Sequence, residues 1–272
     1  MKEAVIGFIG AGNMASSIIR GLIDAGKKPS SIFVTDIDES KLEFLADEAG
    51  IKTASTKEIC NFAEVLVLAV KPQVMKVVCL EIANIGVTTQ FMISVAAGIR
   101  TAQLEHWLNK KTAIVRCMPN TPALIGEGAT GLFANNLVNK SQKELAQSIM
   151  DAVGITVWLS NEEDIDTVTA LSGSGPAYFF LLMEAMQEVA QELGLEQEVA
   201  ESLICQTAIG ASQLARKTED STVTLRKKVT SPGGTTERAV GEFEGGNLRG
   251  LVRNALIAAK NRSIELSEDL SN

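Results

Sequence analysis

Along the first part of the chain, short apolar runs alternate with stretches of helical period. Ala4 to Ile9 reads as a buried strand. Asn13 to Ala25 reads as a helix whose apolar face is Met14, Ile18, Ile19, Leu22 and Ile23. Ser31 to Thr35 is expected as a second strand and Asp38 to Glu48 as the next helix. Glu64 to Val70 is nearly all apolar, as suits a parallel strand covered on both faces. Gln90 to Val95 and Ala113 to Cys117 read as further strands, with Gln103 to Leu108 helical between them. Gly128 to Ala134 and Ile155 to Leu159 are expected as edge strands. Repeated strand–helix–strand order predicts βαβ units and a doubly wound parallel sheet.

The pattern changes near residue 160, after which no strand is evident. Asp164 to Leu171, Ala177 to Leu193, Gln197 to Ala215 and Leu248 to Leu266 read as helices, with shorter ones at Thr222 to Val229 and Glu237 to Phe243. Ser160 or Asn161 is the expected N-cap, with Glu163 in the first turn. The chain therefore divides into an α/β domain over 1–161 and an all-helical domain over 162–272. Long apolar faces such as Tyr178-Phe179-Phe180-Leu181-Leu182-Met183 suggest that the helical part completes its core against a second copy.

Composition narrows the chemistry. Of 272 residues 46% are hydrophobic, enough for a buried core. His106 is the only histidine, so a His-rich metal site is excluded, no metal is expected, and a serine or cysteine hydrolase would have to rest on it. It lies outside every motif below and is expected to be a bystander. Aromatic residues at 4% and a net charge of -8 argue against a nucleic-acid partner. Cys60, Cys79, Cys117 and Cys205 form no C-x-x-C pair and read as reduced thiols of a cytoplasmic protein. Met1-Lys2-Glu3 runs straight into a strand with no secretory leader, and the apolar runs are too short for a membrane span.

The strongest local signal is I-G-F-I-G-A-G-N-M-A, in which Gly10, Gly12 and Ala15 fit G-x-G-x-x-A between a strand and a helix. Gly10 permits the tight turn, Gly12 a close backbone approach to a pyrophosphate, and Ala15 close packing of helix on strand. The helix N-terminus offers free N–H groups to phosphates. Asp36 ends the second strand, where a carboxylate accepts the ribose hydroxyls of NAD and repels the extra phosphate of NADP. Its other reading is a cap for the helix starting near Asp38.

The remaining strand ends break into small or turn-forming residues, which leaves room for a flat cofactor. They are Ala69-Val70-Lys71-Pro72, Ser94-Val95-Ala96-Ala97-Gly98 and Arg116-Cys117-Met118-Pro119-Asn120-Thr121-Pro122. Asn120 reads equally as a ligand to a nicotinamide or substrate and as a cap. In the helical half, Ser172-Gly173-Ser174-Gly175-Pro176-Ala177-Tyr178 and Thr230-Ser231-Pro232-Gly233-Gly234-Thr235-Thr236 each join hydroxyls and glycines to an expected helix N-terminus, a cradle for a small carboxylate.

Taken in order, F-I-G-A-G-N-M-A, A-V-K-P, S-V-A-A-G, R-C-M-P-N-T-P, L-S-G-S-G-P-A-Y-F-F and T-S-P-G-G-T-T resemble the pyrroline-5-carboxylate reductases over essentially the whole chain. The resemblance implies a Rossmann domain followed by a helical dimerisation domain. It also implies NADPH- or NADH-dependent reduction of 1-pyrroline-5-carboxylate to L-proline, and a homodimer that can assemble further, up to a decamer. On that basis Gly10, Ala11, Gly12, Asn13 and Met14 contact the cofactor phosphates and Asp36 the ribose. Ala69, Val70, Lys71, Pro72, Ala97 and Asn120 line the nicotinamide half. Ser231, Gly233, Gly234, Thr235 and Thr236 hold the substrate, with Glu219 nearby and Thr236 the catalytic hydroxyl at the ring nitrogen. Asp-Ile-Asp-Glu stands where many members carry a serine or Asn-Arg, which puts an NADPH preference in doubt. A β-hydroxy-acid dehydrogenase would need a G-x-x-x-N-x-x-K helix, and none is found. A non-catalytic dinucleotide-binding protein would not need the two hydroxyl-rich loops.

Overall fold

The computed structural model describes residues 4–86 and 91–270. Met1 to Glu3, and Gln90 at the start of one expected strand, lie outside the described residues. The first half forms β1 (Ile6–Ile9), α1 (Asn13–Asp24), β2 (Ile32–Thr35), α2 (Glu39–Ala49), β3 (Lys52–Thr53), α3 (Thr56–Phe62), β4 (Val65–Leu68), α4 (Pro72–Ile85), β5 (Phe91–Ser94), α5 (Thr101–Trp107) and β6 (Ile114–Met118). There follow β7 (Gly128–Ala134), α6 (Lys140–Asp151) and β8 (Gly154–Trp158). The strands make one sheet of order β3-β2-β1-β4-β5-β6-β7-β8. All neighbours are parallel except β6 and β7. The expected doubly wound sheet is therefore present. β7, expected at an edge, lies inside it, because β8 pairs along its outer side.

The nearly continuous apolar strands are explained by two cores. On β4, Val65 and Val67 join one core with Ile18 and Ile19 of α1 and Ile149 of α6. Leu66 and Leu68 join the other with Ile59 of α3, Met75 of α4 and Leu104 of α5. A strand covered on both faces has no position to spare for a polar residue. β3, α3, α4 and α6 were not anticipated. The α3 signal was legible, since Ser55 and Glu58 form a reciprocal capping box; β3, only Lys52 and Thr53, both exposed, carries no apolar pattern.

The rest of the chain is helical: α7 (Asp164–Val168), a π-helical turn over Thr169–Gly173, α8 (Gly175–Glu192), α9 (Gln197–Lys217), α10 (Thr222–Lys228), α11 (Thr235–Gly245) and α12 (Leu248–Asp269). The expected cap at Ser160 or Asn161 is corrected. Glu163 flanks α7, because residues 161–166 already wind through carbonyl-to-amide bonds three residues apart. The sheet gives way to helices near residue 160, but compact packing divides the chain differently. One unit is Met1–Pro176 with Ala258–Asn272, the other Ala177–Ile257. The end of α12 belongs to the first unit, where its Ser263 hydroxyl donates to the buried Asp166 of α7.

Candidate active site

The strand register lines up one row of chain ends. Thr35, Ile9, Leu68, Ser94 and Arg116 are successive partners across β2, β1, β4, β5 and β6. The residues that follow them open onto the carboxyl edge of the sheet, where doubly wound folds hold ligands. The topological switch point lies between β1 and β4.

Gly10 leaves β1 with φ +107° and donates its N–H to the Thr35 carbonyl at 2.7 Å. A Cβ there would lie 2.7 Å from the Ala69 carbonyl oxygen, so backbone conformation and space both require glycine. Gly12 flanks α1 in an extended conformation, with no side chain capping the helix. A Cβ on Gly12 would meet nothing within 4 Å. The first-turn amides of α1, on Asn13 and Met14, have no acceptor within their helix and suit an anion. Ala15 is fully buried on the sheet side.

Asp36 has a task that neither sequence reading foresaw. One carboxylate oxygen accepts the Ala11 N–H at 2.7 Å and the other the Asp38 N–H at 3.0 Å, so the acid braces the glycine loop from β2. It does not cap α2, which begins at Glu39. A carboxylate offers about four acceptor sites, so room remains for hydroxyl donors. Next to it, hydrogen bonds from Ser40 and Lys41 hold the Asp38 carboxyl down at about 2. Lys41, the base of this stretch, pairs with Asp38 at 2.9 Å.

Ala69 and Val70 are half-buried and Lys71 is exposed. Pro72 opens α4, where its missing N–H costs nothing. Ala97 is exposed between buried Ala96 and Gly98. These residues and the glycine loop all follow the same row of strand ends. His106 sits exposed on α5, outside that row.

Asn120 is 9% exposed, and both ends of its amide are engaged. Its Nδ2 donates to the Ser172 carbonyl at 3.0 Å and its Oδ1 accepts the Ala129 N–H at 2.9 Å. The Ser172 carbonyl needs an outside donor because the residue four places on is Pro176, which has no N–H. Thus the R-C-M-P-N and L-S-G-S-G-P motifs are packing partners. Here one expectation is overturned. Ser172 to Gly175 is not an open loop in front of a new helix. Thr169–Gly173 winds as a π-turn directly into α8, and Ser174 N–H is spent on the Thr169 carbonyl at 2.8 Å. One amide of the expected cradle, that of Ser174, is therefore already bonded within the chain.

The second loop keeps that form. Gly233 takes φ +74°, Gly234 flanks α11, and Thr235 and Thr236 are its first residues, exposed. The Glu237 carboxylate accepts the Gly233 N–H at 2.7 Å, and Gly234 N–H bonds the Ser231 carbonyl at 3.0 Å. The Thr235 and Thr236 hydroxyls and first-turn amides remain for a ligand. Glu219 lies exposed in the turn before α10.

The chain is similar to known proteins along its whole length. The family pattern described as pyrroline-5-carboxylate reductase dimerisation matches residues 162–266. The one described as NADP oxidoreductase coenzyme F420-dependent matches residues 5–98. The chain is 48% identical to the pyrroline-5-carboxylate reductase of Pseudomonas aeruginosa over 99% of both chains. It is 51% identical to a solved pyrroline-5-carboxylate reductase from Coxiella burnetii, with TM-score 0.93 over 98% of this chain and 99% of that one. The Plasmodium falciparum structure of pyrroline carboxylate reductase with NADP bound is 28% identical, with TM-score 0.85 over 98% of this chain and 99% of that one. A core, a glycine loop and a threonine-bearing turn of this kind, matched end to end at such identity, place the chain in the pyrroline-5-carboxylate reductase family.

Proposed function

We propose that this protein reduces 1-pyrroline-5-carboxylate to L-proline with NADPH or NADH, the final step of proline biosynthesis. The observation that carries the reading is the glycine loop at the switch point, with open space over Gly12, in a chain 48% identical throughout to a named reductase. The fit to a dinucleotide is good, because a Cβ at Gly10 would collide with Ala69 while the space over Gly12 is free. When bound, the reduced nicotinamide supplies the hydride.

Residues 1–161 are the dinucleotide-binding part and 162–272 the substrate-binding and dimerisation part. Gly10 to Met14 hold the phosphates on the free amides of α1. Asp36 accepts ribose hydroxyls with the sites left free by its two amide bonds. Ala69 to Pro72, Ala97 and Asn120 line the nicotinamide end, Asn120 with its one spare N–H and one spare lone pair. Ser231, Gly233, Gly234 and Thr235 hold the substrate carboxylate at the start of α11, with Glu219 at the same pocket. The imine carbon takes hydride best when its nitrogen is hydrogen-bonded or protonated. Thr236 orients that nitrogen and relays a proton to it from water, since a lone threonine is too weak an acid to act alone. The protein forms homo-oligomers, with a dimer as the unit and larger assemblies up to a decamer built from it. The buried free thiols Cys60, Cys79 and Cys117 favour a cytoplasmic setting.

The test is the loss of NAD(P)H absorbance on adding pyrroline-5-carboxylate. A flat trace with both cofactors overturns the reading. Thr236→Ala is expected to cut kcat about a hundredfold with the fold intact, and wild-type turnover by that variant removes Thr236 from the mechanism. With Asp36 in place NADH is expected to be at least competitive, so a preference for NADPH of about a hundredfold would contradict the ribose assignment.

A further inference from the structure

Behind the row of strand ends lies a set of charged groups that the reaction does not use. Arg116 of β6 is 1% exposed and donates to Glu162 at 3.3 Å. The other Glu162 contacts are the Thr101 N–H at 2.7 Å and hydroxyl at 2.8 Å. Asp166 of α7, 1% exposed, accepts from Arg100 at 3.2 Å and from the Ser263 hydroxyl of α12 at 2.7 Å. Gln103 reaches the Ser267 carbonyl at 3.2 Å. Arg116 and Asp166 are buried, Arg100 and Glu162 partly so, and Arg100 also lies 3.8 Å from the exposed Glu163.

Stability alone is a weak reason for such a set, because well-packed apolar residues in place of a buried ion pair are often as stable or more so. What the set does is fasten one segment. Arg100, Thr101 and Gln103 immediately follow the loop Val95-Ala96-Ala97-Gly98, and Arg116 is the register partner of Ser94, from which that loop springs. The loop's back rests on the same helix and its end, since a Cβ on Gly98 would lie 3.7 Å from Leu266 and 3.3 Å from Leu270 just beyond the last turn. Its exposed front is Ala97.

We propose that Asp166 is a positioning residue for hydride transfer, acting through Arg100 and Ser263 to fix the loop that presents Ala97. The inference rests on the assignment of Ala97 to the nicotinamide end of the site. A ring that delivers hydride must be held to a fraction of an ångström, and a loop does this only when its base is fixed from behind. The phosphate loop springs from β1 and owes nothing to this set, so dinucleotide affinity and hydride transfer separate.

The test compares the unmutated protein, Asp166→Asn and Ser263→Ala at a temperature where circular dichroism shows each folded. Asp166→Asn is expected to lower kcat about tenfold and Ser263→Ala about threefold. The primary isotope effect on kcat with deuterated cofactor rises in both, while the dinucleotide Kd stays within about twofold. Unchanged kcat in folded variants overturns the proposal, and so does a Kd that rises in parallel with the loss of kcat. If Asp166→Asn fails to fold, Ser263→Ala, which strands no charge, decides on the same readouts. An unmutated protein that binds dinucleotide but gives no turnover sinks the functional reading instead, and is recognised before any variant is measured.

Discussion

The two compact units treat their apolar residues in opposite ways. In the sheet-bearing unit, Phe8, Ile18, Val67, Met75 and Leu104 are all fully buried between sheet and helices. In Ala177–Ile257 the large apolar side chains lie mostly open: Phe179 is 60% exposed, Phe180 62%, Leu193 81% and Leu251 62%. Only Ala200 and Ile204 are buried hydrophobics there. A sheet closes its core within one chain because helices can lie on both faces. A layer of helices with open apolar faces needs another surface to lie on. The match of residues 162–266 to a family described as pyrroline-5-carboxylate reductase dimerisation fits a homo-oligomer.

Substituting a charge on each unit is the sharpest way to break this contrast. Phe180→Glu buries an unpaired carboxylate if the face is an interface, and should weaken assembly about a hundredfold or more. Ile37→Glu, at a position 101% exposed in the first unit, should leave the assembled mass unchanged. Sedimentation of both variants checks this, and an intact Phe180→Glu oligomer would show that the open face is not the interface.

Ion pairs give the next largest effect. Arg116→Met strands Glu162 among buried groups and is expected to cost about 3 kcal/mol in a denaturant titration. Arg249→Ala, which breaks the solvent-exposed pair with Glu244, should give no measurable shift of the midpoint. Equal effects would mean that the two networks are equally desolvated. Thiol chemistry follows. Burial pushes Cys60 up to about 11 and Cys79 to about 12, and raises Cys117 as well. A disulfide reagent should therefore leave these three untouched in the native protein and reach all of them after denaturation, whereas Cys205 is exposed in the single chain. Rapid native labelling of Cys79 would contradict its burial.

The smallest effect belongs to the α3 cap. Hydrogen bonds from the Ser55 hydroxyl and N–H hold the Glu58 carboxyl below its ordinary 4.5. A depressed folded value means that this stabilisation is fully present above about 4.5 and is lost as pH falls through the folded value. Acidification should thus cost the wild type slightly more stability than Glu58→Gln, and identical acid profiles would remove the cap from the account.

Much of the fold could be read from spacing alone. Strands β1, β2, β4, β5 and β6 fall inside their expected runs to within a residue or two, since an apolar run between turn signals is a local property. The glycine loop was legible for the same reason. The set of Arg100, Arg116, Glu162, Asp166 and Ser263 was not, because these residues are scattered along the chain and each alone looks like an ordinary surface polar residue. Asn120 and Ser172 stand in recognisable motifs, yet nothing in either motif says that one serves the other. The missing proline N–H supplied the reason only once the two were seen together.

The sequence by itself determined the sheet class, the glycine turn at its switch point, the hydroxyl-rich turn before α11 and the family. All are set by residues close together in the chain. The tertiary structure decided that Asp36 braces the phosphate loop, that a π-turn over Thr169–Gly173 ties up the Ser174 N–H, and that a charge set backs the Ala97 loop. Those outcomes depend on which distant donors and acceptors burial forces into pairs, and pairing of that kind is fixed only when the chain has packed.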